Sequence, residues 1–124
     1  MKLFYLATPY SKYREGWVKA YEMACRNAAF LLQQGVPVFS PIAHTHSIAL
    51  YSEVGPGDAQ FWLDADWPIL TKCDGLIVVM ADGWKESYGI SKEIECMTCR
   101  DTPRPVFYMQ PMIMPKGLRK AVWL

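Results

Sequence analysis

Gly75-Leu-Ile-Val-Val-Met-Ala-Asp-Gly-Trp-Lys-Glu-Ser-Tyr-Gly-Ile-Ser-Lys-Glu-Ile-Glu95 reads as a buried strand, a glycine-containing loop and the opening of a helix. The apolar run from Leu76 to Met80 has no polar alternation, as expected of a strand covered on both faces. From Ser87 the apolar residues switch to helical spacing. In an open α/β sheet this join lies at the carboxyl edge, where loop side chains and free backbone N–H groups meet ligands. Glu93, just inside the helix start, is therefore a candidate for chemistry.

Working outward, Leu3 to Ala7 is a short apolar strand that leads into Thr8-Pro-Tyr-Ser11. Trp17, Ala20, Tyr21, Ala24, Ala28, Leu31 and Leu32 then recur at helical spacing until Gly35. Val36 to Phe39 is a second strand, and Ser40-Pro-Ile-Ala-His-Thr-His46 is expected to leave it as a loop. Gly55-Pro-Gly57 punctuates the chain, and Asp58 can cap a helix through Phe61, Trp62, Ala65 and Leu70, which Pro68 must kink or divide. Cys73 to Ala81 is the central strand, Ser87 to about Cys99 the next helix, and Pro105 to Met109 the last strand. The order β-α-β-(loop)-α-β-α-β predicts a parallel sheet with right-handed crossovers. Pro115 to Leu124 is too short for a domain and is a candidate for packing on a neighbour.

The 124 residues suit one domain, and 52% hydrophobic with 20% charged residues is the composition of an ordinary globule. A net charge of +1 with interspersed signs leaves no basic stripe for nucleic acid and no cationic amphipathic segment for a membrane surface. No apolar run has the length of a membrane span, and Met1 to Ala7 turns polar too soon for a signal peptide, so a cytoplasmic protein is expected. Cys25, Cys73, Cys96 and Cys99 are irregularly spaced and fit reduced thiols. The expected partner is a small molecule or a second copy of the chain.

On a helix beginning at Ser87, Ile90, Ile94 and Met97 share one face, and Glu93 lies about 65° from its centre, at the border of the buried surface. Partial desolvation there raises a carboxylate pKa, whereas the helix N-terminus favours the charged form. Such a balance suits a nucleophile, although a carboxylate at this place also simply complements the helix dipole. Asp66 stands among Phe61, Trp62 and Trp67, surroundings that can keep an acid protonated for delivery to a leaving group; a cap ahead of Pro68 is the plainer alternative. Two carboxylates at one sheet edge permit cleavage of a glycosidic bond through a covalent glycosyl intermediate.

Tyr5-Leu-Ala-Thr-Pro-Tyr-Ser11, the spacing from Asp66 to Cys73-Asp74 ahead of Gly-Leu-Ile-Val-Val, and Ser87-x-Gly89-x-x-x-Glu93 together resemble the nucleoside 2-deoxyribosyltransferase superfamily. The ordered set spans most of the chain, whereas no one motif in it is specific. The resemblance implies a three-layer, flavodoxin-like or Rossmann-like domain with a sheet of four or five strands and helices on both faces. It further implies attack on the anomeric carbon of a 2′-deoxyribonucleoside or its 5′-monophosphate, with transfer of the sugar to another base or to water. Glu93 would be the nucleophile, Asp66 the group that handles the leaving-group proton, and Tyr5 the hydroxyl that orients Glu93. No cofactor or metal is implied, and assembly into dimers or larger oligomers is. The apolar tail Ala121 to Leu124 makes such association plausible.

The chain departs from the superfamily's transferases at Ser87, where their motif has an Asp. A hydroxyl at a helix start can donate to a 5′-phosphate that a carboxylate would repel, or act only as an N-cap. The Gly-Arg-rich phosphate loop of the related nucleotide hydrolases is missing after Tyr5. Substrate contacts are therefore expected from Ser87, Gly89, Thr8, Ser11 and backbone N–H groups, with Lys12 or Arg14 in reserve. Tyr10 is placed to stack on a base, and His46, emerging beside His44, to contact base or phosphate. Cys96 and Cys99 fall on the helix face turned away from the sheet, which argues against a zinc site with the two histidines. A non-catalytic nucleotide-binding module on the same scaffold is the alternative to an enzyme.

Overall fold

The computed structural model describes residues 1–124, which form a four-stranded, all-parallel sheet with helices on both faces. The strands are β1 (Phe4–Ala7), β2 (Val38–Phe39), β3 (Gly75–Val79) and β4 (Val106–Met109), in spatial order β2-β1-β3-β4. The helices are α1 (Trp17–Gln33), α2 (Pro41–Ala49), α3 (Ala59–Leu70), α4 (Tyr88–Thr98) and α5 (Leu118–Ala121). The alternation of strands and helices predicts the parallel sheet, and the family resemblance implies its three-layer α/β architecture. Chain direction across the sheet reverses between β1 and β3, whose register pairs Phe4 with Gly75 and Ala7 with Val78. A crevice opens at such a reversal beyond the carboxyl ends of the two strands.

Alternate residues of the central strands feed two cores. Phe4, Leu6, Ile77 and Val79 pack against Met23 and Leu31 of α1 on one face. Tyr5, Ala7, Leu76 and Val78 pack on the other against Leu70 of α3 and Ile90 and Met97 of α4. All five residues of β3 are buried, as its unbroken apolar run requires. Gly75 opens that strand because a side chain would strike the Phe4 ring at 2.7 Å and the Pro105 carbonyl oxygen at 2.9 Å.

Several expectations are corrected. Ser40 to His46 is not a loop: Ser40 caps α2, its Oγ accepting the Ala43 N–H at 3.1 Å, and Pro41 occupies the first helical position. Pro68 does not divide α3, which runs on through it to Leu70. The missing N–H falls in the last turn, where little helix remains to be lost. Asp66 is likewise no cap but an interior residue of that helix. The C-terminal segment packs on its own chain, with Leu118 and Val122 buried in the α1-side core and the Lys2 N–H donating to the Val122 carbonyl at 2.8 Å. Cys96 is half-buried against the α4-side core, because α4 is rolled on the sheet toward Glu93 and Cys96; Cys99 is exposed. No helix is long and apolar enough to cross a membrane.

The loop after β1 is fastened to the loop after β3. Asp82 accepts the Arg14 N–H at 3.3 Å, and Gly83, at φ +85°, lies so close to Lys12 that an added Cβ would collide with its carbonyl. Gly83→Ala therefore meets both a left-handed backbone and a steric clash, and should cost at least about 1 kcal/mol. Urea denaturation should show a lowered midpoint with an unchanged slope.

Candidate active site

Two helices present a carboxylate in the same way. On α3 the buried stripe is Leu63, Asp66 and Leu70; on α4 it is Ile90, Glu93 and Met97. Each acid takes the middle place of an i, i+3, i+7 stripe that would ordinarily be apolar throughout. Glu93 thus lies within the buried face rather than at its border, and only 6% of its surface is exposed. Ile94, expected on that face, is half-buried. Tyr5 projects from β1 into the same region, with the Phe39 ring 5.7 Å from its own.

The electrostatics follow from this burial. Desolvation pushes the Glu93 pKa up to about 8; the Tyr5 hydroxyl pulls against the rise, and the Asp66 carboxylate adds to it. Desolvation also raises the Asp66 pKa, against the imidazole of His44, whose Nδ1 stands 3.5 Å from Asp66 Oδ1. Burial first, then the charges of Glu93 and Asp66, hold the Tyr5 phenol far above its ordinary range. Tyr5 is therefore a permanent hydrogen-bond donor at neutral pH. Glu93 and Asp66 titrate as interacting groups that compete for protons.

Tyr5, Asp66 and Glu93 all line one cleft, which holds about 810 Å³ of atom-free space including its open mouth. The structure also brings Thr8, Tyr10, Ser11, His46, Ser87 and Gly89 to this cleft. Ser87 is the N-cap of α4, its Oγ accepting the Ile90 N–H at 3.2 Å, and it still has a hydroxyl proton to donate. Thr8 is buried, and its Oγ1 has no partner within the protein. Arg14 turns to Asp82 instead, whereas Lys12 lines the cleft.

The histidines part company. His46 borders the cleft, its Nδ1 2.6 Å from the Tyr10 hydroxyl and its ring stacked on Tyr21 at 4.4 Å. Burial raises the Tyr10 pKa, so we assign the phenol as donor and Nδ1 as acceptor. Tyr10 stacks on Trp17, with centroids 6.2 Å apart. His44 lies outside the cleft lining and turns to Asp66. No group of three or more His, Cys, Asp or Glu side chains is arranged to hold a metal ion.

Sequence reasoning missed the wall opposite Thr8 and Ser87, formed by Ile42, Thr45 and Ala49 of α2 and Trp62 and Leu63 of α3. Its signal was the Ser40-Pro41 cap, which turns the supposed loop into a helix. The rim was missed too. Tyr88 donates to Gln60 Oε1 at 2.6 Å, and Gln60 Nε2 donates to Asp64 at 2.7 Å, a bridge from α4 to α3.

Residues 2–110 match the model of a family described as a domain of unknown function, DUF1937. The chain belongs to that family. No curated protein matches it. The matched span contains all four strands and every cleft residue named above; α5 lies outside it. The site is thus part of the DUF1937 domain itself.

Burial of Glu93 predicts how stability varies with pH. Its folded-state pKa of about 8 exceeds the model-peptide value of 4.5, so between these values the native state binds more protons than the unfolded chain. Stability should fall as pH rises through that window, by up to about 1.4 kcal/mol per unit, and level off above it. Glu93→Gln should remove this dependence and be the more stable protein at pH 8, as chemical denaturation at pH 5, 6.5 and 8 would show.

Proposed function

We propose that the domain cleaves the N-glycosidic bond of 2′-deoxyribonucleosides or their 5′-monophosphates through a deoxyribosyl ester on Glu93, passing the sugar to water or to a second base. The observation that carries this reading is the burial of Glu93 beside Asp66 and Tyr5 in a cleft at the carboxyl edge of the sheet. Two carboxyl groups are what such a reaction needs, and a protonated phenol beside them can orient the nucleophile. The resemblance in the sequence supports the same assignment of roles.

In the first step a Glu93 carboxylate oxygen forms a bond to C1′ as the C1′–N bond breaks. The electron pair of that bond leaves with the base, whose nitrogen takes a proton from Asp66. Tyr5 donates a hydrogen bond toward Glu93 and orients it. In the second step water or another base attacks C1′, gives its proton to Asp66 and releases the Glu93 carboxylate. Atoms and protons balance over the cycle without a redox partner.

The cleft divides by chemistry in a way that suits a nucleoside. Ile42, Ala49, Trp62 and Leu63 offer an apolar wall for a planar base, and Thr8, Ser11, Lys12 and Ser87 offer hydroxyls and a cation for the sugar end. The reading also expects self-association, for which exposed Leu50, Tyr51, Trp123 and Leu124 supply apolar surface.

Incubation with a panel of deoxynucleosides and deoxynucleotides, followed by chromatography for free base, tests the proposal. At least one substrate should release base, and nucleotide binding without any release would favour the non-catalytic alternative. Glu93→Gln should abolish turnover, and Asp66→Asn should lower kcat by about 10²-fold or more. Since the first step needs Glu93 ionised and Asp66 protonated, kcat/KM should pass through a maximum and decline above about pH 8, where the last proton leaves the pair.

A further inference from the structure

Asp66 has one side-chain ion-pair partner, and that partner comes from outside the cleft. His44 Nδ1 lies 3.5 Å from Asp66 Oδ1. Asp66 lines the cleft and His44 does not, so the acid stands between the histidine and the space where a ligand would sit. The His44 side chain is about half exposed, whereas that of Asp66 is 4% exposed. The imidazole is the link between a buried acid and solvent.

The placement of His44 is built into α2. Ser40 caps this helix, Pro41 starts it, and the Thr45 hydroxyl donates to the Pro41 carbonyl at 2.8 Å. Pro41, Thr45 and Ala49 take the buried stripe, which leaves His44 on the flank beside α3. There its ring rests on Phe39, with centroids 5.4 Å apart, and Phe39 in turn packs on Tyr5. His44 is thereby held between an aromatic ring and the carboxylate.

We propose that His44 is a positioning residue for Asp66: it fixes the carboxyl group by an N–H···Oδ1 hydrogen bond, turns the other oxygen to the cleft, and supports the carboxylate that remains after the proton leaves. The inference rests on the glycosidic-bond reading given above. In that cycle Asp66 gives its proton to the departing base and stays ionised until water or the incoming base returns one. Throughout the life of the ester intermediate a charge is buried on Asp66. The groups that face it are Tyr5 from β1, Glu93 from α4 and His44 from α2. Glu93 is then an uncharged ester, and among the three only His44 can supply a positive charge.

Two substitutions separate this role from packing. His44→Phe keeps the aromatic contact with Phe39 and removes the N–H donor; His44→Gln restores a donor. With a substrate that the wild type cleaves, His44→Phe should lower kcat by about 10- to 100-fold with KM within about twofold. The acidic limb of its pH profile should move to higher pH, because Asp66 loses the partner that lowers its pKa. His44→Gln should recover much of kcat. Wild-type kcat and an unmoved limb in His44→Phe would overturn the proposal, as would a loss of kcat with the limb unmoved, which marks packing alone. If the wild type releases no base from any substrate, the glycosidic-bond reading falls and this inference with it; base release with an indifferent His44→Phe overturns this inference alone.

Discussion

The structure turns on a carboxylate buried where a leucine would be more stable. Glu93 sits in the apolar stripe of α4 with its pKa driven to about 8, so at neutral pH the fold either leaves it protonated or bears a desolvated charge. Neither arrangement helps the chain fold. The surrounding core must supply the difference, and it is built to do so. Tyr5 lies on a strand buried from end to end, and Ile90 and Met97 flank the acid along α4. On the proposed function, this costly group held by well-packed neighbours trades stability for reactivity.

The sheet explains why these residues meet. Tyr5 belongs to β1, Asp66 to the helix that precedes β3, and Glu93 to the helix that follows it. The reversal of strand order about β1 and β3, which run parallel, brings the loops after both strands to one crevice. The tie between Asp82 and Arg14, with Gly83 lying against Lys12, joins those two loops directly, so the polar end of the cleft is fixed by backbone as well as by packing. The apolar end is made by α2 and α3, which are held by their own caps at Ser40 and Asp58.

Much of this was legible in the sequence because it depends on local pattern. The run from Leu76 to Val79 could only be a buried strand, and the cap at Ser87 marked the helix start. The parallel sheet followed from the alternation of elements. What escaped was information that lies between elements. Helical spacing placed Glu93 near the apolar face but could not say how α4 rolls on the sheet, and that roll decides between border and interior. His44 and His46 are two residues apart, about 200° around a helix, so they point to different surroundings; read as a loop, the same residues looked interchangeable. Pro68 was judged by its usual effect, without regard to how little helix follows it.

On the proposed reading, the raised pKa of Glu93 poses a problem that the geometry also answers. A nucleophile must be ionised, yet in the resting site burial drives the Glu93 pKa to about 8, whereas at Asp66 burial raises the pKa and His44 pulls against the rise. The resting proton therefore favours the wrong carboxyl group. The reaction itself reverses the preference. As the C1′–N bond lengthens, positive charge grows on the sugar next to Glu93 and negative charge grows on the base next to Asp66. The first favours an ionised Glu93, and the second favours a protonated Asp66. A site whose two acids compete for protons, with neither held irrevocably in one state, can be sorted by the transition state in this way, whereas a Glu93 ionised by a fixed cation would bind the ground state just as well and gain nothing in rate.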